Sequence, residues 1–149
     1  MKEITVGAFL QSFENPFRAV VVKESDTIRS VVETMIANKE ERGVYVVDEN
    51  ARLSGIISVG SLTRHIMHEE VSPHTGFTPA ANILHYLTAE HAGDIMECDV
   101  ISCSMDELLS TVAAKMSGKK LFKMLPVVDG EGHIVDLLNI LDMLEYGFE

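Results

Sequence analysis

Val44-Tyr45-Val46-Val47-Asp48 and, 81 positions later, Leu125-Pro126-Val127-Val128-Asp129 decide the fold of this chain. Each is a short apolar run closed by an acid and turn residues, Asp48-Glu49-Asn50 in the first and Asp129-Gly130-Glu131-Gly132 in the second. Outward from this pair, positions 19–65 recur as positions 100–146 without a gap. Val31, Met35, Lys39, Val46, Val47 and Asp48 return as Val112, Met116, Lys120, Val127, Val128 and Asp129. Identities are few, but the apolar pattern is nearly the same throughout, and such a repeat fixes the architecture before any chemistry is considered.

Each copy reads as strand, helix, strand, strand, helix. The β-branched run at 20–22 is a buried strand. Ser25 or Asp26 is placed to cap the helix that follows, whose apolar face is Ile28, Val31, Val32, Met35 and Ile36. Leu108, Leu109, Val112, Ala113 and Met116 repeat that face in the second copy, after a first strand that includes Ser102. The turn residues predict hairpins between 44–47 and 53–57, and between 125–128 and 134–138. Short helices are predicted from Ser58 and from Asn139. The stretch between the copies holds Pro73, Gly76 and Pro79, and Thr78-Pro79 is a good start for a helix over 78–87 with Ile83, Leu84 and Leu87 on one face.

The chain has 149 residues, 46% of them hydrophobic, so it is globular. Each copy alone is short for a core of its own, and the two are expected to pack together. A net charge of −11 disfavours general binding to nucleic acid or to anionic membrane. No apolar run approaches the roughly 18 residues of a membrane span, and no signal-peptide core follows Met1-Lys2-Glu3. Cys98 and Cys103 give no disulfide framework, so reduced thiols and a cytoplasmic location are expected.

The repeat, the Leu-Pro-Val-Val-Asp element at 125–129 and the Asp94-Ile95-Met96 lead-in resemble the CBS domain, and two in tandem resemble a Bateman module. The resemblance covers residues 4–67 and 92–146, joined by a partly helical connector over 68–91. It implies two α/β (α+β) halves of β-α-β-β-α order, related by a pseudo-twofold axis. It also implies a regulatory role without catalysis, clefts between the halves that bind an adenosine-containing ligand (AMP, ADP, ATP or S-adenosylmethionine), and a homodimer. Met35, Ile36 and Met116 are the residues expected to meet a second subunit.

The family's ribose and phosphate motif is Gly, two apolar residues, Ser or Thr, two variable residues, then Asp. Asp136-Leu137-Leu138-Asn139-Ile140-Leu141-Asp142 occupies it in the second copy. By resemblance Asp142 holds the ribose, a carboxylate accepting from both hydroxyls of a cis-diol. Asn139 stands at a helix N-terminus suited to phosphate. The first copy reads Gly55-Ile56-Ile57-Ser58-Val59-Gly60-Ser61, with Ser61 in place of the acid. Ser58 and Ser61 are therefore the weaker candidates. By the same resemblance Ser102 faces base or phosphate, and Met124 and Leu125 flank adenine. Lys115, Lys119, Lys120 and Lys123 form a basic cluster, with Lys123 nearest the expected cleft. Plainer readings account for the same residues. Asn139 and Asp142 are spaced as an N-cap and an acidic third helical residue, the lysines fit a solvated helix end, and Ser102, Met124 and Leu125 fit strand packing.

His65, His68, His74, His85 and His91, with Glu69, Glu70 and Glu90, are spread along the connector and read as surface residues. No glycine-rich phosphate loop and no nucleophile–base grouping is present in the sequence, so no enzyme chemistry and no cofactor beyond the regulatory nucleotide is expected. Two alternatives stand beside the nucleotide sensor: a degenerate pair acting as a protein-interaction module, and a metal-responsive module working through the connector histidines. The effector protein is not named by the sequence.

Overall fold

The computed structural model describes residues 3–13, 19–70, 90–116 and 124–147. In chain order the elements are α1 (Val6–Leu10), β1 (Val21–Lys23), α2 (Ile28–Ala37), a 3-10 turn (Lys39–Glu41), β2 (Gly43–Val47), β3 (Leu53–Ser58), α3 (Val59–Glu70), α4 (Ala92–Ile95), α5 (Leu109–Lys115), β4 (Met124–Val128), β5 (Ile134–Asn139) and α6 (Ile140–Gly147). They form two compact units, one of residues 20–98 and one of residues 1–19 with 99–149. The predicted helix at 78–87 and its Ile83, Leu84 and Leu87 lie outside the described residues.

In the first unit β2 is central, parallel to β1 and antiparallel to β3. All five of its residues are buried, which is why it reads as an unbroken apolar run. The parallel β1–β2 pair needs a crossover, and α2 supplies it. The cap of α2 is Thr27, whose hydroxyl accepts from the Ser30 N–H at 3.1 Å, and neither Ser25 nor Asp26 fills that place. Asp26 instead turns its carboxylate back to the Lys23 N–H at 2.9 Å. Val22, Ile28, Val31, Met35, Val44, Val46, Ile57 and Leu62 make the core.

The second unit pairs β4 with β5 antiparallel. Its expected first strand is reduced to one parallel bridge, Cys103 to Val127. The reason is Pro126. At the same register in the first unit the Tyr45 N–H donates to the Val20 carbonyl at 3.0 Å. Proline has no N–H to donate, so the ladder cannot extend. The core of this unit contains Leu109, Val112, Leu125, Val127, Leu138 and Met143, joined by Val6 and Phe9 from the N-terminal segment.

That N-terminal segment follows a rule shared by both units. Val6 and Gly7 donate their N–H groups to the carbonyls of Glu107 and Met105, each at 2.8 Å. The Leu109 N–H returns to the Ile4 carbonyl at 2.9 Å, and Thr5 bridges Leu108. In the first unit Ala92 and Gly93 donate to Asp26 and Glu24, Ile28 donates to Glu90, and His91 bridges Thr27. The stretch that precedes each copy therefore clamps the first helix of the other copy. The clamp keeps a glycine in both places. A Cβ on Gly7 would meet the Met105 carbonyl oxygen at 3.1 Å, and one on Gly93 would meet Glu24 Cβ at 3.2 Å.

The two hairpins are built alike. Asp48 Oδ1 accepts from the N–H groups of Asn50 and Arg52, and Asp129 Oδ1 accepts from those of Glu131 and His133, at 2.9 to 3.0 Å. The His133 amide bond is the main reason the Asp129 carboxyl titrates below its usual range. A depressed native pKa stabilises the turn above the unfolded value and loses that contribution as pH falls through the native one. The same turn position has φ 62° at Ala51 and φ 90° at Gly132. Only glycine adopts this region without a Cβ penalty. Ala51→Gly is expected to stabilise the chain, and Gly132→Ala to destabilise it, each by roughly 0.5–1 kcal/mol in urea unfolding.

Candidate functional site

The N-terminus of α6 gathers three of the expected site residues. Asn139 ends β5 directly opposite Met124 in β4, and Asp142 lies in the first turn of α6. Asn139 Oδ1 accepts from the N–H groups of Leu141 at 2.9 Å and Asp142 at 3.3 Å, so Asn139 is the helix cap. Asp142 is half-buried, and its carboxylate makes no hydrogen bond to any described residue.

The corresponding turn of the first unit is closed on itself. Ser58 Oγ accepts from the Ser61 N–H at 3.0 Å, and Ser61 Oγ accepts from the Ser58 N–H at 3.2 Å. The two hydroxyls lie 3.0 Å apart, and the Ser61 hydroxyl also donates to the Ser58 carbonyl at 3.1 Å. This is a complete capping box made from two serines. Where the Asp142 carboxylate of the second unit makes no hydrogen bond among the described residues, Ser58 and Ser61 of the first commit their hydroxyls to the helix end. Gly55 of the first copy also has a packing reason. A Cβ there would lie 2.6 Å from the Met96 sulfur and 2.9 Å from the Glu97 carbonyl oxygen, because residue 97 pairs with Ile56 at that point. The second copy has Asp136 at this register, and its carboxylate accepts from the Leu137 N–H at 2.7 Å.

Other expected site residues are placed differently. Leu125 is 1% exposed and sits in the second core, so its side chain is packed there and does not flank a ligand. Ser102 is half-buried, and its carbonyl accepts from Lys115 Nζ at 3.5 Å. Lys115 is held by Glu107 Oε1 at 2.7 Å. Lys119, Lys120 and Lys123 lie outside the described residues. Arg42 occupies the register of Lys123 in the first copy and was missed by the motif reading. It is exposed at φ 60°, and its carbonyl accepts the Val59 N–H that opens α3. The repeat offset alone points to it.

Among the connector histidines, His65 meets Glu90 at 3.3 Å and His91 meets Asp94 at 3.7 Å. His74, His85 and the His68 side chain lie outside the described residues. Among the described residues no group of three His, Cys, Asp or Glu side chains is placed to hold a metal. Cys98 is exposed, and Cys103 is buried, its thiol pushed up to about 12 by burial and secondarily by Glu107. Cys103 is therefore a protonated core residue at neutral pH. Of the residues expected to meet a second subunit, Met35 is buried in the core of its unit, Met116 is half-buried against its own, and Ile36 is exposed. Leu141 and Leu144, one turn apart on α6, are 66% and 43% exposed.

Two segments, residues 15–68 and 92–149, match the CBS domain, and the chain belongs to that family. No curated protein matches it. Among solved structures it resembles CBSX2 of Arabidopsis thaliana in complex with AMP, at 23% identity and a TM-score of 0.66, covering 97% of this chain and 96% of that one. It resembles a CBS domain-containing protein of Thermotoga maritima at 27% identity and TM-score 0.64, covering 98% and 95%. It also resembles the cytosolic domain of the Mg2+ channel MgtE in complex with ATP, at 26% identity and TM-score 0.62, covering 86% of this chain and 44% of that one. The mixed α+β architecture of a tandem CBS pair is thus the fold of this chain. Among the described residues no helix is long and apolar enough to cross a membrane.

The caps give a direct stability test. Asn139→Ala and Ser58→Ala should each cost about 1 kcal/mol in urea unfolding. Ser61→Ala removes the bonds from its hydroxyl to Ser58 but leaves the Ser61 N–H capped by Ser58 Oγ, and should cost less than Ser58→Ala.

Proposed function

We propose that this chain is a regulatory module that binds one adenosine-containing nucleotide at its second half and reports the occupancy to a partner protein without catalysing a reaction. The observation that carries the reading is the contrast between the two helix starts. Among the described residues the Asp142 carboxylate is uncommitted beside the Asn139 cap, while Ser58 and Ser61 satisfy one another. A cis-diol offers two donors, and a free carboxylate has the two oxygens to accept them. Met124, opposite Asn139, offers an apolar side chain to the base, and Ser102 with Lys123 is assigned to the polar end of the ligand. The AMP and ATP bound to the structural relatives support an adenine nucleotide as the ligand class. A ligand of this size acts as a switch when it binds one packing of a protein better than another.

A second copy of the chain belongs to the same proposal, with α6 rather than α2 as the meeting face, because Leu141 and Leu144 leave it apolar. The acidic balance argues against nucleic acid or membrane as the partner, and a reducing cytoplasmic setting suits the free Cys98 and Cys103.

Calorimetry with AMP, ADP, ATP and S-adenosylmethionine tests the site. About one nucleotide per chain in the micromolar range is expected. Asp142→Ala should weaken binding by about one to two orders of magnitude, the effect of losing hydrogen bonds to a charged group. Ser61→Ala should leave binding unchanged. Two equal sites per chain, or an Asp142→Ala protein that binds as before, would refute the assignment. In light scattering the dimer should give twice the 16.4 kDa chain mass. Leu141→Glu should return it to the monomer.

A further inference from the structure

Glu107 stands where three parts of the second unit meet. Its carbonyl receives the Val6 N–H from the N-terminal segment at 2.8 Å. Its Oε1 holds Lys115 Nζ at 2.7 Å, and the same ammonium donates to the Ser102 carbonyl at 3.5 Å. Its Oε2 is buried with no donor among the described residues. An acceptor sealed from water in this way is unfavourable, so packing forces on the carboxylate a place it would not take in isolation.

The first unit does not build this link. At the register of Glu107, Asp26 accepts from the Lys23 N–H within its own turn at 2.9 Å. At the register of Lys115, the Thr34 hydroxyl donates to the Ser30 carbonyl inside its own helix at 2.9 Å. The bridge from the helix back to the strand-like segment at 102 is therefore a property of the copy that carries Asp142.

We propose that Glu107 and Lys115, braced by the N-terminal segment, are positioning residues that fix Ser102 for the nucleotide. The inference rests on the nucleotide reading above. Lys115 acts through the Ser102 peptide and not as a free charge, because the Glu107 carboxylate offsets its ammonium. The Ser102–Cys103 peptide is held on both sides, its N–H by the Pro126 carbonyl at 3.1 Å and its carbonyl by Lys115, and this fixes the direction in which the Ser102 side chain is presented. Docking of the N-terminal segment and ligand binding then become linked equilibria: each stabilises the arrangement that the other requires.

Calorimetry with two probes, AMP and uncharged adenosine, separates this role from a simple attraction of phosphate. Lys115→Met should weaken both probes by the same factor, roughly tenfold, and Lys115→Arg, which keeps a donor in reach of Glu107 and Ser102, should restore both. In hydrogen exchange AMP should slow the Val6 and Gly7 amides of the wild-type chain, and this protection should vanish in Lys115→Met. A loss confined to AMP would overturn the proposal in favour of an electrostatic lure. Unchanged affinities in Lys115→Met, or no change at Val6 and Gly7 in the wild type, would overturn it while leaving the nucleotide site standing. A wild-type chain that binds neither probe would refute the nucleotide reading itself.

Discussion

Three backbone links hold the start of each copy's first helix, and the rest of each unit depends on them. They are backbone hydrogen bonds, two of which make an antiparallel bridge, and they join residues 4–7 to 105–109 and residues 90–93 to 24–28. A helix start leaves N–H groups without partners, and a buried start must find them. Here the carbonyls of Ile4 and Glu90 supply that need for Leu109 and Ile28. The clamp then brings Val6 and Phe9 into one core and Ala92 into the other. A unit of this size gains much from each such side chain, because a small domain buries only a modest share of its surface.

The two copies share this scaffold and differ in how they finish it. Thr27 caps α2 with its side chain, while Leu108 at the same place has none to offer. Tyr45 extends the parallel ladder, while Pro126 stops it. Ser58 and Ser61 close the start of α3, while the start of α6 keeps an open carboxylate. The first copy has thus converged on local self-satisfaction. Among the described residues, the second carries the uncommitted Asp142 carboxylate and also the buried Glu107 oxygen that finds no partner. Polar groups left unsatisfied inside a fold tend to mark function rather than stability, since they cost stability where they stand.

The architecture was legible in the sequence because it rests on periodicity. The runs at 44–47 and 125–128, the helical faces of Val31 with Met35 and of Val112 with Met116, and the repeated Asp48 and Asp129 are local signals. The asymmetry at Ser61 and Asp142 was legible too, as was capping by Asn139. The Thr27 cap was missed because Ser25, Asp26 and Thr27 are all good caps and only the true first helical residue chooses among them.

What the sequence determined by itself was a repeat of one α/β unit, the place of its strands and turns, and the residue types at each helix start. These follow from the alternation of apolar and turn residues over a few positions, where neighbours in the chain are neighbours in space. The tertiary structure alone decided which copy each lead-in clamps, that Gly55 makes room for Met96, and that Lys115 is tied to Glu107 and Ser102. It also decided that Met35 is buried in the core of its unit. Each of these joins residues far apart in sequence, and no local period encodes which distant backbone will fill a vacancy beside a glycine or a helix start.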